Sequence, residues 1–254
     1  MFVFASYGFS FAGALLSDVL WGKYKTIITL SIVYVMGHFV LAFFETVTGF
    51  FVGCTLIAIG AGGIKPCVSA HVGDQFDESN THLIEKMYSW FYFAINAGAI
   101  IAYLSAEPLL RSEFLISKGL NVAVAFGLPG VLMTIALVVF WLGRNKYISI
   151  KPAGWQLYKK ELFSKNGGEL VVKLLPIYIF LAVFWSLFDQ TSGAWVLQAK
   201  SDLMIKDINL FFTTVSVYPS QLGFLNSLFI LIFIPIFSYF VYPFLGKFIK
   251  LNYI

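Results

Sequence analysis

Two charged side chains lie inside long apolar runs, where their chemistry is hardest to explain away. Lys65 sits in IAIGAGGIKPCVSA and Asp189 in FWSLFDQTSGAWVLQA. An ionised group in hydrocarbon costs several kcal/mol, so it normally faces a cavity or a partner. Lys65 follows Gly60, Gly62 and Gly63 and precedes Pro66. The glycines allow neighbouring helices to come close, and the proline removes one helical donor and loosens the turn before it. An ammonium there suits an anionic group, and it equally suits a lysine that snorkels to the nearer membrane face. Asp189 can pair with a base, bind an amine or carry a proton. The plainer alternative is a structural ion pair that holds a gate shut. Trp185 precedes Asp189 by one helical turn, so the two share a face.

Tyr92 and Asn96, in WFYFAINAGAI, repeat the i, i+4 spacing. A phenol and an amide on one face can bond a peptide backbone, or can simply join helices. Asn226 carries the same two readings. Asp18, Gly22, Lys23 and Lys25 lie together in GALLSDVLWGKYKT. An acid at a helix end beside bases suggests a charge lock between helices; a tight turn with basic anchors is the alternative. Asp74, in VGDQFDES, sits at the next helix end on that side and suits the same lock. Pro129, Pro176, Pro235 and Pro243 read as kinks.

Enzyme chemistry finds no support. There is no G-x-S-x-G, no H-E-x-x-H and no phosphate loop. GAGG at 60–63 is not followed by Lys-Ser/Thr. Cys54 and Cys67 lack metal or disulfide spacing, and His38, His71 and His82 form no ligand set. No metal, no cofactor and no nucleic-acid partner is expected.

The elements that position these residues follow from composition. The chain of 254 residues is 59% hydrophobic and 12% charged, against about 25% charged in soluble domains. A surface facing lipid is required. Apolar runs long enough to span lie at 1–17, 26–44, 49–70, 87–106, 121–142, 173–198 and 220–245. The run 210–217 is too short and is expected in the membrane interface. The fold class is therefore all-α, a polytopic membrane helical bundle of about seven transmembrane helices.

Alternate loops carry unequal charge. One set holds twelve bases: Lys23, Lys25, Lys86, Arg144, Lys146, Lys151, Lys159, Lys160, Lys165, Lys173, Lys247 and Lys250. The other holds four: Arg111, Lys118, Lys200 and Lys206. The bias places the first set in the cytoplasm. The long basic loop near 144–172, with KPAGWQ and SKNGGE as breakers, divides a bundle at 1–143 from the start of a second at 173–254.

Four blocks together resemble one family, the proton-dependent oligopeptide transporters of the major facilitator superfamily. They are GALLSDVLWGKYKTI, IAIGAGGIKPCVSAHVGDQF, WFYFAINAGAI and FWSLFDQTSGAWVLQA. They are similar, in order, to the superfamily loop after helix two and to the family's blocks on helices four, five and seven. The resemblance implies a partial major facilitator fold covering family helices two to eight. It implies proton-coupled symport of di- and tripeptides by alternating access, in a plasma or inner cell membrane. Tyr7, Lys65, Tyr92, Asn96, Trp185 and Asn226 then match substrate-binding positions. Lys65 and Asp189 match positions for proton coupling and gating, and Asp18, Gly22 and Lys23 match the cytoplasmic gate motif. Small peptides, protons and lipid are the implied partners. The family's first helix with its E-x-x-E-R-F motif, and helices nine to twelve, have no counterpart. A fragment that needs the missing helices is therefore expected. The rivals are a same-family transporter of another anion such as nitrate, and a non-transporting truncated fragment.

Overall fold

The computed structural model describes residues 2–201, 207–210 and 213–248. Lys206 and Lys250, counted among the loop charges, and Met1 lie outside the described residues.

Helix α1 (Phe2–Leu15) continues as a π-helical turn, Leu16–Trp21, and stops at Gly22. Gly22 has φ +79°, a left-handed conformation that glycine adopts without a Cβ penalty. Helix α2 (Lys23–Phe43) starts at once. Thr46 caps α3 (Val47–Gly73), its hydroxyl accepting the Gly49 N–H at 3.0 Å. Next come α4 (Ile84–Arg111), the short α5 (Glu113–Ser117), α6 (Asn121–Leu142) and α7 (Trp155–Leu162). Helix α8 (Lys165–Phe188) leads into a 3-10 turn, Asp189–Ser192, and then α9 (Ala194–Ala199). A hairpin of β1 (Asp207–Leu210) and β2 (Thr213–Ser216) follows, paired antiparallel with Asp207 opposite Ser216. The described chain ends with α10 (Gly223–Ile236), a π turn (Phe237–Val241) and α11 (Tyr242–Leu245).

Seven helical segments among the described residues are long and apolar enough to cross a membrane, and they coincide with the seven expected runs. The protein is an integral multi-pass membrane protein of helical architecture. The run 210–217, too short to span, is largely taken up by the hairpin; Thr213, Thr214 and Val215 are β-branched and favour a strand. One local expectation needs correction. The run 173–198 is not one continuous helix. Asp189, Thr191, Ser192 and Gly193 are weaker helix formers, and the helix breaks there.

The chain folds as two compact units, 1–82 with 109–177, and 83–108 with 178–254. This grouping follows packing, whereas a division at 144–172 follows chain order. In the first unit α3 packs against both α1 and α2, and α2 also packs on α6. Its core is built from small side chains: Thr26, Ser31, Ala58 and Cys67 are almost fully buried. Large apolar side chains such as Phe4, Phe51 and Val139 point outward, as they do where lipid is the solvent and small residues line helix contacts. In the second unit the 3-10 turn before α10, Pro219–Leu222, meets α4. Ser220 Oγ donates to Glu107 at 2.9 Å, and Gln221 Nε2 donates to the Leu104 carbonyl at 3.4 Å.

Candidate functional site

Lys65 owes its position to the glycines before it. A Cβ on Gly62 would collide with the Ser6 carbonyl, and one on Gly13 would collide with the backbone of Gly63. Helices α1 and α3 therefore touch backbone to backbone. Cys67, 1% exposed, has its thiol 3.2 Å from the Gly63 carbonyl on its own helix and 3.6 Å from the Gly13 carbonyl across the same seam. Along this seam Tyr7 of α1 meets Lys65 of α3, with Nζ 5.2 Å from the ring centroid. That lies within the reach of a cation–π attraction. Both side chains are exposed in their unit, and no carboxylate pairs with Lys65 among the described residues. The ammonium is thus held by a ring face and remains able to take an anion.

The second unit holds the other expected residues. Tyr92 lines a groove of about 500 Å³ together with Glu85, Tyr88 and Ser89 of α4 and, opposite, Phe233 and Tyr242. Asn96 is 5% exposed, and its Nδ2 donates to the Tyr92 carbonyl at 2.9 Å. That donation is local to α4. Trp185 packs edge-on against Phe184 and Phe188, with centroids 5.6 and 5.3 Å away, and stays 48% exposed. Asp189 is exposed at the start of the 3-10 turn, without an ion pair among the described residues. Asn226 is half-buried on α10. Glu85, Tyr88 and Ser89 escaped the sequence reading. Their signal is there: with Tyr92 they fall at i, i+3, i+4 and i+7, one polar stripe on an otherwise apolar span.

A third cluster joins the start of α2, the end of α3 and the segment after α6. Lys23 Nζ donates to both carboxylate oxygens of Asp74 at 2.8 Å. Asp18 takes no part in that pair; its carboxylate accepts from Ser17 Oγ at 3.0 Å, and its backbone carbonyl accepts the Ala153 N–H at 2.7 Å. Gln75 holds Ile148 by both backbone groups. The Ile148 N–H donates to Oε1 at 2.9 Å, and Nε2 donates to the Ile148 carbonyl at 3.1 Å. Below this, the ring of His71 meets Phe140 and Tyr147 edge-on at 5.7 and 5.3 Å.

Asp18, Gly22 and Lys23, then Lys65, then Tyr92 with Asn96, and the helix break at Asp189 lie, in that order, in the four blocks of the sequence. A family profile described as PTR2, POT family, matches residues 24–164 and 165–254. The chain belongs to the POT family. It is 38% identical over 275 residues to solute carrier family 15 member 2 of Danio rerio, covering 92% of this chain and 37% of that relative. It is 33% identical over 288 residues to solute carrier family 15 member 1 of Homo sapiens, covering 92% of this chain and 40% of the relative. Among solved structures it superposes on the POT family transporter PepTSo with a TM-score of 0.74 at 31% identity, covering 99% of this chain and 61% of that one. The chain therefore spans about two fifths of the length of these curated relatives and 61% of PepTSo. Its membrane spans cover part of the fold of that family.

Proposed function

We propose that this chain forms part of a proton-coupled symporter of di- and tripeptides that works by alternating access. The observation that carries the reading is Lys65 against Tyr7, an intramembrane ammonium held by a ring and free of acidic partners among the described residues. Such a charge is retained for binding or relay. Lys65 attracts the peptide carboxylate and takes part in proton handling. Tyr7, Tyr92 and Asn96 bond the peptide backbone, with Asn226 beside them, and Trp185 packs on its side chains. Asp189 pairs with a base to hold one gate, and protonation weakens that pair. Asp18, Gly22, Lys23 and Asp74 belong to the gate on the basic side, which faces the cytoplasm of a plasma or inner membrane. The bundles at 1–143 and 173–254 rock about a midplane site, joined by the linker 144–172. The proton is the coupling ion and no cofactor is involved. The solved relatives support the substrate class, since one is an auto-inhibited POT family peptide transporter, 31% identical to this chain.

The test is uptake into proteoliposomes under an imposed pH gradient, using the transporter that carries this chain. Labelled dipeptide is expected to accumulate and nitrate is not. Lys65→Ala is expected to abolish gradient-driven uptake while the protein still inserts. Nitrate accumulation, or undiminished uptake by the inserted variant, overturns the reading.

A further inference from the structure

His71, in the last turn of α3, is 5% exposed, and its Nε2 is buried with no hydrogen-bond partner among the described residues. Such nitrogens are uncommon, because the cost of desolvation goes unmet. The surroundings of the imidazole are aromatic. It meets Phe140 of α6 and Tyr147 of the following segment edge-on, and Phe140 in turn stacks on Tyr147 and on Tyr24 of α2, at 5.0 and 5.3 Å. The backbone of His71 is tied to the same segment. Gln75 Nε2 donates to the His71 carbonyl at 3.0 Å and to the Ile148 carbonyl at 3.1 Å. Ring and backbone of one residue therefore hold Tyr147 and Ile148, the start of the stretch that runs on to Ala153.

The charges around the imidazole already have partners. On α3 itself Asp74 lies three residues on, along the same face, and Lys23 of α2 holds both of its oxygens. From the end of the first span, the Asp18 carboxylate accepts from Ser17. Lys25 turns to the ring of Trp21 and Arg144 to that of Trp141, at 5.7 and 3.9 Å. Tyr24 and Tyr147 are the titratable phenols of the cluster. A neutral imidazole suits this box of rings. An imidazolium adds a charge and has two N–H donors, and the rings give it neither a carbonyl nor a carboxylate. Asp74 gives it one, by sharing an oxygen now held by Lys23.

We propose that His71 is a proton-operated latch on segment 147–153. Neutral, it holds the segment against α3; protonated, it turns from Tyr147 toward Asp74, and the segment lifts. The closed form is then the one that binds fewer protons, so a falling pH favours opening. Histidine is the side chain that changes charge between about pH 5 and 8. The latch lies on the basic side of the membrane, reads the pH there, and works alike whichever solute is carried.

The experiment uses the full chain in nanodiscs, with Cys54→Ser and a nitroxide on Ser149→Cys, an exposed position between the anchors at Ile148 and Ala153. Cys67 is buried and stays unlabelled. Spectra are recorded from about pH 8 to about pH 5.5, across the histidine range. The mobile component should be minor at the alkaline end and grow severalfold toward the acid end. His71→Phe keeps a ring that takes no proton, and should hold the label immobile throughout. Tyr147→Ala removes what the imidazole rests on, and should leave the label mobile throughout. In histidine-labelled chain, the ring signals of His71, assigned with His38→Gln and His82→Gln, should titrate together with the growth of the mobile component. Mobility that ignores pH overturns the latch, as does an equal acid response in His71→Phe. So does a His71 titration that fails to coincide with the change in mobility, a reading that stands even if His71→Phe does not fold. An immobile label in Tyr147→Ala overturns the ring contact as the hold.

Discussion

Lys23, the first residue of α2, grips Asp74, the residue that follows α3, through both carboxylate oxygens at 2.8 Å. The side chains are 20% and 12% exposed, so water screens the pair only in part. An exposed pair is worth about 0–1 kcal/mol, and breaking a buried one costs about 3–5 kcal/mol. Removing one partner here should cost on the order of 1–2 kcal/mol, between those limits. Asp74→Asn and Lys23→Ala are expected to lower the melting temperature in detergent. The exchanged pair Lys23→Asp with Asp74→Lys should recover part of the loss, and Asp18→Asn should change little. A large drop for Asp18→Asn and none for Asp74→Asn would move the lock to the other acid.

The α1–α3 seam gives a contrast among glycines of the same helix. A Cβ on Gly13 meets the backbone of Gly63, which cannot step aside, whereas a Cβ on Gly8 meets nothing within 4 Å. Gly13→Ala should therefore destabilise by about 1–3 kcal/mol through overpacking. Gly8→Ala should be neutral or stabilising, by up to about 1 kcal/mol of helix propensity. Thermal melts of the two variants decide it. Equal melting temperatures would mean the helices do not touch at this seam.

These relationships divide by how far each could be read from sequence. The spans were plain because lipid demands long apolar runs, and each of the seven runs falls in a helical segment long enough to cross. Gly60, Gly62 and Gly63 announced a close approach, but only the fold shows that the approach is to Ser6 and Gly13 of α1. The meeting of Tyr7 with Lys65 follows from that and from nothing local. At the basic end, residue types promised a charge lock, yet periodicity could not say which acid reaches Lys23. The hold of Gln75 on Ile148 was invisible, because an amide bonding a distant backbone depends on the path of a loop. The helix break at Asp189 follows from Thr-Ser-Gly, weak helix formers that the apolar residues around them mask in a hydropathy profile.

Asp77, in the turn between α3 and α4, gives a pH dependence outside the membrane. Its carboxylate accepts from the backbone N–H and the hydroxyl of Ser79, and these bonds hold its pKa below the usual 3.8. A folded pKa below the unfolded value means that the group contributes order above the unfolded value. That contribution fades as pH falls through the folded one. Protection of the Ser79 amide against hydrogen exchange, corrected for intrinsic rates, should hold from neutral pH to about 4 and decline below it. Asp77→Asn should flatten the profile. A decline centred well above pH 4 would mean that the Ser79 bonds do not favour the carboxylate.

Gln75 is the residue on which the path of segment 147–153 depends. Its amide answers both backbone groups of Ile148, and the next anchor along the chain is the Ala153 N–H on the Asp18 carbonyl. Between them Ile150 and Pro152 lie close to Gly22. Gln75→Leu deletes both bonds and leaves the Ile148 groups to water, a loss of about 1 kcal/mol per bond. Gln75→Glu keeps the acceptor and loses the donor, so it should fall between. Hydrogen exchange at the Ile148 amide is expected to rise about tenfold or more for Leu and less for Glu, following that ladder. The Ala153 amide should rise too, because it is reached through the same segment. If Ile148 speeds up while Ala153 does not, the two anchors act independently, and the segment is pinned at two separate points instead of moving as one strap.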